Sequence, residues 1–259
     1  MSRLKDRVAL VTGAGRGIGR AISLAFAGEG ARVAVAARSE GELRAVVYAT
    51  AGAGGAAAAF VCDRADRDAA RSLPGRVKER FGAVEILVNN AGIGSSANPK
   101  PLADLEDDFW DLTLELNVTA PFLLCKSVLP DMLDAGWGRI ITTASINSRK
   151  ASFHGGAYAA SKHAVLGLMR TLALETAGTG TTVNCICPGP VTTAMNDVRV
   201  RYDADRLGKE LAEYERSLTP VGGRLVPEEI APMAVYLASD DARMITGQAY
   251  NVCGGLVMS

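Results

Sequence analysis

The sequence predicts a single α/β domain, a doubly wound parallel sheet of seven strands with helices on both faces. Three observations predict it. Strand-like apolar runs alternate with helical stretches from end to end, those strands are apolar on both faces, and no repeat or linker divides the 259 residues. A strand that is hydrophobic throughout needs cover on both sides, which crossover helices supply. A chain of this length can bury a sizeable core as one unit.

The elements follow in order. "RVALVTG" (7–13) reads as the first strand and "RAISLAFAGEG" as the first helix. "ARVAVAAR" (31–38) is the second strand, followed by an Ala-rich helical segment. The simple stretch "AGAGGAAAA" (51–59) is a turn entering the third strand, "AAAFVC" (57–62), and "RDAARSLPGRVKERFG" is the helix after it. "VEILVNNAG" (84–92) leads to a long helix between Leu105 and Ala135, and "GRIITTAS" (138–145) leads to a helix carrying Tyr158. "TTVNCICPG" (181–189) and "QAYNVCGG" (248–255) complete the seven strands. The segment 192–219, "TTAMNDVRVRYDADRLGKELAEYERSLT", is highly charged and poor in apolar periodicity. A long polar connection late in a βα unit predicts a mobile flap that closes over substrate.

Composition excludes several functions. Apolar residues are 48% and charged residues 22%, an ordinary soluble balance. Lys plus Arg (28) equals Asp plus Glu (28), so nothing draws the protein to nucleic acid or an anionic membrane. No run of about eighteen apolar residues exists, and no apolar stretch precedes the first strand; neither a membrane span nor a signal peptide is expected. The cysteines Cys62, Cys125, Cys185, Cys187 and Cys253 form no C-x-x-C pair and have only His154 and His163 for company, so no metal site is expected. They read as small buried hydrophobes in a reducing cytoplasm.

The first strand ends in "TGAGRGIG", Thr12 to Gly19, and a helix follows at once. Gly13, Gly17 and Gly19 fit G-x-x-x-G-x-G rather than G-x-G-x-x-G, but the physical task is similar. Glycines let the backbone turn tightly and approach a pyrophosphate, with helix N–H groups facing it, in a Rossmann-type arrangement. A ligand-free glycine turn is the alternative. No G-x-x-x-x-G-K-[ST] is present, which disfavours a nucleoside triphosphatase. The second strand ends Ala36-Ala37-Arg38, with no acid until Glu40. An acid there would suit NAD, whereas Arg38 and Arg16 suit the 2′-phosphate of NADP. NADP(H) is therefore the favoured cofactor, with NAD, and two merely solvated arginines, as alternatives.

Tyr158 stands four residues before Lys162 in "YAASK", so on a helix the phenol and ammonium share a face. Alone, that pair is unspecific. With "TGAGRGIG", "NNAG" (89–92), "ASINS" around Ser145 and "PGPVTT" (188–193) in the same order, the whole chain resembles the short-chain dehydrogenase/reductase family.

The resemblance implies roles. Ser145 would hydrogen-bond the substrate oxygen and Tyr158 would exchange a proton with it. Lys162 would hold the nicotinamide ribose and lower the phenol's pKa, and Asn117 would bend its helix and position a water in the proton relay. Asp63 would bond the adenine, Asn89 would lie beside the adenosine ribose, and Val191 and Thr193 would hold the carboxamide. Ile18, Ala91, Gly92, Pro188 and Gly189 complete the implied cofactor contacts. A free phenol has a pKa of about 10, too high for an efficient base near neutrality, so nearby positive charge has a purpose.

Within the family, "TVNCICPGPVTTAM" and the closing "NVCGGL" look most like 3-oxoacyl and polyketide ketoreductases. The approaches to the fifth and sixth strands carry Asp131, Asp134 and Glu175, with no Lys or Arg before Arg139, so an acyl carrier protein is a doubtful partner. The expectation is an NADP(H)-dependent oxidoreductase interconverting a small-molecule ketone and secondary alcohol. The alternatives are an NAD-dependent alcohol, sugar or steroid dehydrogenase and a non-catalytic dinucleotide-binding regulator. Resemblance also implies a homotetramer, and helices apolar most of the way round, "FLLCKSVLPDML" and "HAVLGLMRTLAL", fit that expectation.

Overall fold

The computed structural model describes residues 2–258. Seven parallel strands form one sheet in the order β3-β2-β1-β4-β5-β6-β7: Val8–Thr12 (β1), Arg32–Ala37 (β2), Ala56–Val61 (β3), Ile86–Asn89 (β4), Gly138–Thr143 (β5), Thr181–Pro188 (β6) and Ala249–Val252 (β7). Each falls inside or within one residue of its expected run. The side-chain alternation of a strand divides the core in two. Ala9 and Val11 of β1 face a layer built on Ile22 and Phe26 of α1 (Gly17–Gly28) and Ala234 and Val235 of the later helix Ala231–Ala238. Val8 and Leu10 face Leu73, Val77, Leu124 and Met169 on the other side.

α2 (Glu40–Gly52) begins at Ser39, whose side chain caps Glu42 N, and α3 (Arg67–Phe81) begins at Asp66, which caps Asp68 N and Ala69 N. The long helix expected between Leu105 and Ala135 is real but interrupted. It runs as α4 (Asp107–Leu114), a π turn (Glu115–Thr119) and α5 (Ala120–Asp134). Pro121 explains the turn: it has no N–H to give the Asn117 carbonyl four residues earlier, so regular α-helical bonding fails there. Asp107–Asp134 is long and apolar enough by length and composition to cross a membrane. Here it covers the sheet, with Leu124, Val128 and Met132 sealed in the core.

The charged segment 192–219 is folded as two helices, α7 (Ala194–Leu207) and α8 (Leu211–Arg216). Its weak apolar period hid the forces that shape it. Thr193 caps Asn196 N, Gly208 closes α7 in the left-handed region, and Arg199 grips Asp203 at i,i+4. Arg224 then binds Asp197 and Glu215 at 2.5 and 2.6 Å, fastening both helices to the body.

Candidate active site

The sheet order reverses between β1 and β4, and a cleft of about 1350 Å³ opens at the carboxyl ends of the strands there. Its two ends are built differently.

The glycine loop forms one wall. Gly13 has φ +64°, and a Cβ on it would stand 2.8 Å from Ala91 Cα; one on Gly19 would stand 2.2 Å from Gly13 O. Only glycine permits this approach of loop, helix and neighbouring strand. Arg16 occupies the N-cap of α1 without a side-chain cap bond, and the first turn carries no acid. The N-terminal N–H groups of α1, with Gly17 and Ile18, are therefore left for an anion. Two residues not singled out from the sequence hold this wall. Thr12 Oγ1 accepts from Asn90 N (3.0 Å) and Ala91 N (3.2 Å), and Asn90 Nδ2 donates to Thr12 O at 3.0 Å. Thr12 opens the glycine motif and Asn90 sits inside "NNAG", so both motifs were visible but the bond between them was not.

Ala91 and Gly92 line the cleft. Asn89 does not. It is the last residue of β4, 2% exposed, with Nδ2 against Cys125 Sγ and Thr142 Oγ1. Strand alternation turns Asn89 into the core and gives the cleft to Asn90.

At the adenosine end, Arg38 is exposed and Arg16 pairs with Glu42 at 3.6 Å. Asp63 lines the cleft with Oδ1 accepting from Ala65 N at 3.0 Å, which leaves its second oxygen for a donor such as an adenine amino group. Arg64 and Glu42 also line the cleft, and sequence reasoning missed both. Neither carried a signal: Arg64 is one more arginine after a strand, and Glu42 reads as a helix-start acid.

At the other end, Ser145 caps the short turn Ile146–Ser148 after β5, its Oγ accepting from Asn147 N at 3.0 Å. Tyr158 and Lys162 lie on α6 (Gly156–Glu175), and Lys162 sits on its buried face among Ser161, Val165 and Met169. Lys162 Nζ donates to Thr143 O at 2.7 Å and stands 5.7 Å from the centre of the Tyr158 ring. Burial lowers the Lys162 ammonium to about 8. Burial also raises the Tyr158 phenol above its ordinary value, with Ser145 beside it pulling the other way. The expectation that Lys162 lowers the phenol is not met in this structure, where desolvation is the largest influence on Tyr158 and Lys162 Nζ donates to Thr143 O.

Asn117 lies in the π turn, 2% exposed. Its Oδ1 accepts from Ile93 N, and its Nδ2 donates to Ile93 O (2.9 Å) and Ser161 Oγ (3.0 Å). The side chain therefore ties the loop after "NNAG" to α6, while Pro121 has no N–H to give its main-chain carbonyl. Pro188, Gly189, Val191 and Thr193 line the cleft at the end of β6, with Val191 buried. Beyond them Phe153, Met195, Arg199, Asp203 and Tyr214 line the far end of the cleft.

The pattern of the family described as "short chain dehydrogenase" matches residues 7–203. The chain belongs to the short-chain dehydrogenase family. The curated "Granaticin polyketide synthase putative ketoacyl reductase 1" of Streptomyces violaceoruber is 42% identical to this dehydrogenase over 96% of its chain and 92% of the relative. D-threitol dehydrogenase of Mycolicibacterium smegmatis is 40% identical over 98% and 94%. Among solved structures, a single-substitution variant of the actinorhodin polyketide ketoreductase with NADPH superposes with a TM-score of 0.91 at 39% identity, covering 96% of this chain and 97% of that one. The dehydrogenase thus has the parallel-sheet fold and membership expected of it.

Proposed function

We propose that this dehydrogenase interconverts a ketone and a secondary alcohol with NADP(H), using Tyr158 as the proton donor and acceptor. One observation carries the reading: a single cleft joins a glycine cradle, with arginines at its adenosine end, to Ser145, Tyr158 and Lys162 at the other. The cradle fits a dinucleotide, because side chains at Gly13 or Gly19 would fill it and α1 offers uncapped N–H groups. Arg16 and Arg38 would hold the phosphate-rich end. The bound cofactor supplies or accepts the hydride.

The protein's own residues do the rest. In reduction, Ser145 donates a hydrogen bond to the carbonyl oxygen and Tyr158 gives it a proton. In oxidation, Tyr158 takes the proton back. Lys162, held by Thr143 O, is placed to reach the ribose and to favour the phenolate once a ligand draws it over. The Asn117 carbonyl, which Pro121 cannot bond, suits a water that refills the proton on this path.

A similar ketoreductase with NADPH supports NADP(H), as does the exposed Arg38. The exposed Asp134 and Glu175 speak against a carrier-protein partner, while Asp131 is paired with Lys78. Ala249–Val252 and the α5 and α6 surfaces, with Phe122, Leu133 and Leu174 exposed on one chain, support a homotetramer. Five buried free thiols suit a reducing cytoplasm. We read 192–219 as a lid closing on substrate within the one domain.

A second reading is an NAD-dependent polyol or alcohol dehydrogenase. Glu42 favours it: a carboxylate against Arg16 would repel a 2′-phosphate. A panel of ketones and alcohols, each with NADPH and NADH, tests both. Turnover with NADPH preferred is the expected result; a preference for NADH with polyols would select the second reading, and no turnover at all would leave a dinucleotide-binding regulator.

A further inference from the structure

Among the described residues, three charged side chains are buried by this fold: Arg64 (6% exposed), Arg139 (1%) and Lys162 (7%). Two are satisfied. Arg139 donates to the carbonyls of Gly138, Gly180 and Ser239 and pairs with Asp240, and Lys162 donates to Thr143 O. Arg64 is not. Its Nη1 is sealed from solvent without an acceptor among the described residues. The charges and thiols that it feels are Cys62, Asp63 and Arg38. The thiol is neutral, since burial raises Cys62. Asp63 turns its Oδ1 to Ala65 N, and Arg38 is a second cation. Burial accordingly lowers the Arg64 guanidinium to about 10.

An enclosed charge without a partner is costly, and folds normally avoid it. This one lines the cleft, within electrostatic reach of Arg38 and of Lys162. A planar fork of donors at the cleft wall, with Nη1 unpartnered, matches phosphate oxygens. We propose that Arg64 is a phosphate-binding residue, closed by the 2′-phosphate or the pyrophosphate of the dinucleotide. The inference rests on the cofactor reading above. It adds a consequence: the cofactor-free protein carries an uncompensated cation, which nucleotide binding relieves. Arg64 therefore trades stability of the empty protein for affinity.

The test compares wild type with Arg64→Met, which keeps the volume and removes the charge, and with Arg64→Lys. Dissociation constants for NADPH and NADH are measured by protein fluorescence, and melting temperatures with and without each nucleotide. In the Met variant NADPH binding should weaken by about tenfold or more, as expected for a lost charge-assisted bond. The empty Met variant should melt no lower than wild type, and saturating NADPH should raise its melting temperature by less. The Lys variant should fall between. Loss confined to NADPH identifies the 2′-phosphate as the partner; equal loss with NADH identifies the pyrophosphate. Unchanged affinity for both nucleotides overturns the proposal, most plainly if the empty Met variant also melts lower, because Arg64 would then be structural. If wild type itself binds neither nucleotide, the cofactor reading fails, and this proposal with it.

Discussion

The two ends of the cleft are opposites in how completely they are bonded. At the catalytic end Ser145, Lys162 and Asn117 each have hydrogen-bond partners inside the protein, and all three are buried. At the adenosine end, among the described residues, Arg38 is exposed without an ion pair, Arg64 is enclosed without one, and Arg16 makes only a long contact to Glu42. The difference follows from the two tasks. Proton transfer needs donors fixed within a few tenths of an ångström before substrate arrives, which calls for a saturated network. Nucleotide selection needs charge that is still available when the ligand comes. One end is preset; the other waits.

The largest expected effect breaks the catalytic end. Tyr158→Phe keeps the ring and removes the transferable proton, so turnover should fall by about 10²–10⁴-fold. NADPH affinity should change little, because the adenosine end is untouched. Near-normal turnover of the variant would remove Tyr158 from the mechanism. Arg38→Asp acts on the other end. A lost charge-assisted bond of roughly 1.5–3 kcal/mol, with repulsion added, should move the NADPH-to-NADH preference in kcat/KM by more than about tenfold. An unchanged ratio would leave the choice to Arg64 and Arg16.

The pH profile sharpens the same contrast. Burial holds the Tyr158 phenol above its ordinary value, so the free protein keeps that proton through neutrality. Reduction, which uses the protonated phenol and the Lys162 ammonium, should be flat around neutral pH and decline as Lys162 loses its charge near about 8. Oxidation, which uses the phenolate, should rise with pH over the range where reduction is still flat. Parallel profiles in both directions would mean that another group titrates.

A smaller effect is expected in 192–219. Residues 195–217 should exchange amide hydrogens faster in the empty protein than with NADPH and a bound ketone. The anchors of Arg224 to Asp197 and Glu215 and of Arg199 to Phe153 O oppose opening. Equal protection in both states would make α7 and α8 a fixed insertion and end the lid proposal.

Much of this was legible in the chain because covalent order and spatial order agree. The strands read directly from their apolar runs, and Tyr158 and Lys162 read from a four-residue spacing on one helix. What was not legible depended on long-range contact. Asn89 looked like a cleft residue until the end of β4 showed which way it faces, with Asn90 taking its place. The phenol's raised pKa depends on burial, and the lysine's bond to Thr143 O on the end of β5; a spacing reveals neither. Helices α7 and α8 were obscured because ion pairs and caps, rather than an apolar stripe, define them. Arg64 was obscured most completely: an arginine is ordinarily on the surface, and only the fold shows this one enclosed.

The most direct test of the central claim follows the hydride. NADPH deuterated at the transferable position is given to the wild-type protein with the best ketone of the panel, and the alcohol is analysed for isotope. The account predicts one deuterium on the carbinol carbon, faster turnover with NADPH than with NADH, and a hydroxyl proton drawn from solvent through Tyr158. Alcohol formed without deuterium on that carbon would contradict it, as would a cleft that binds NADPH and transfers nothing to any ketone.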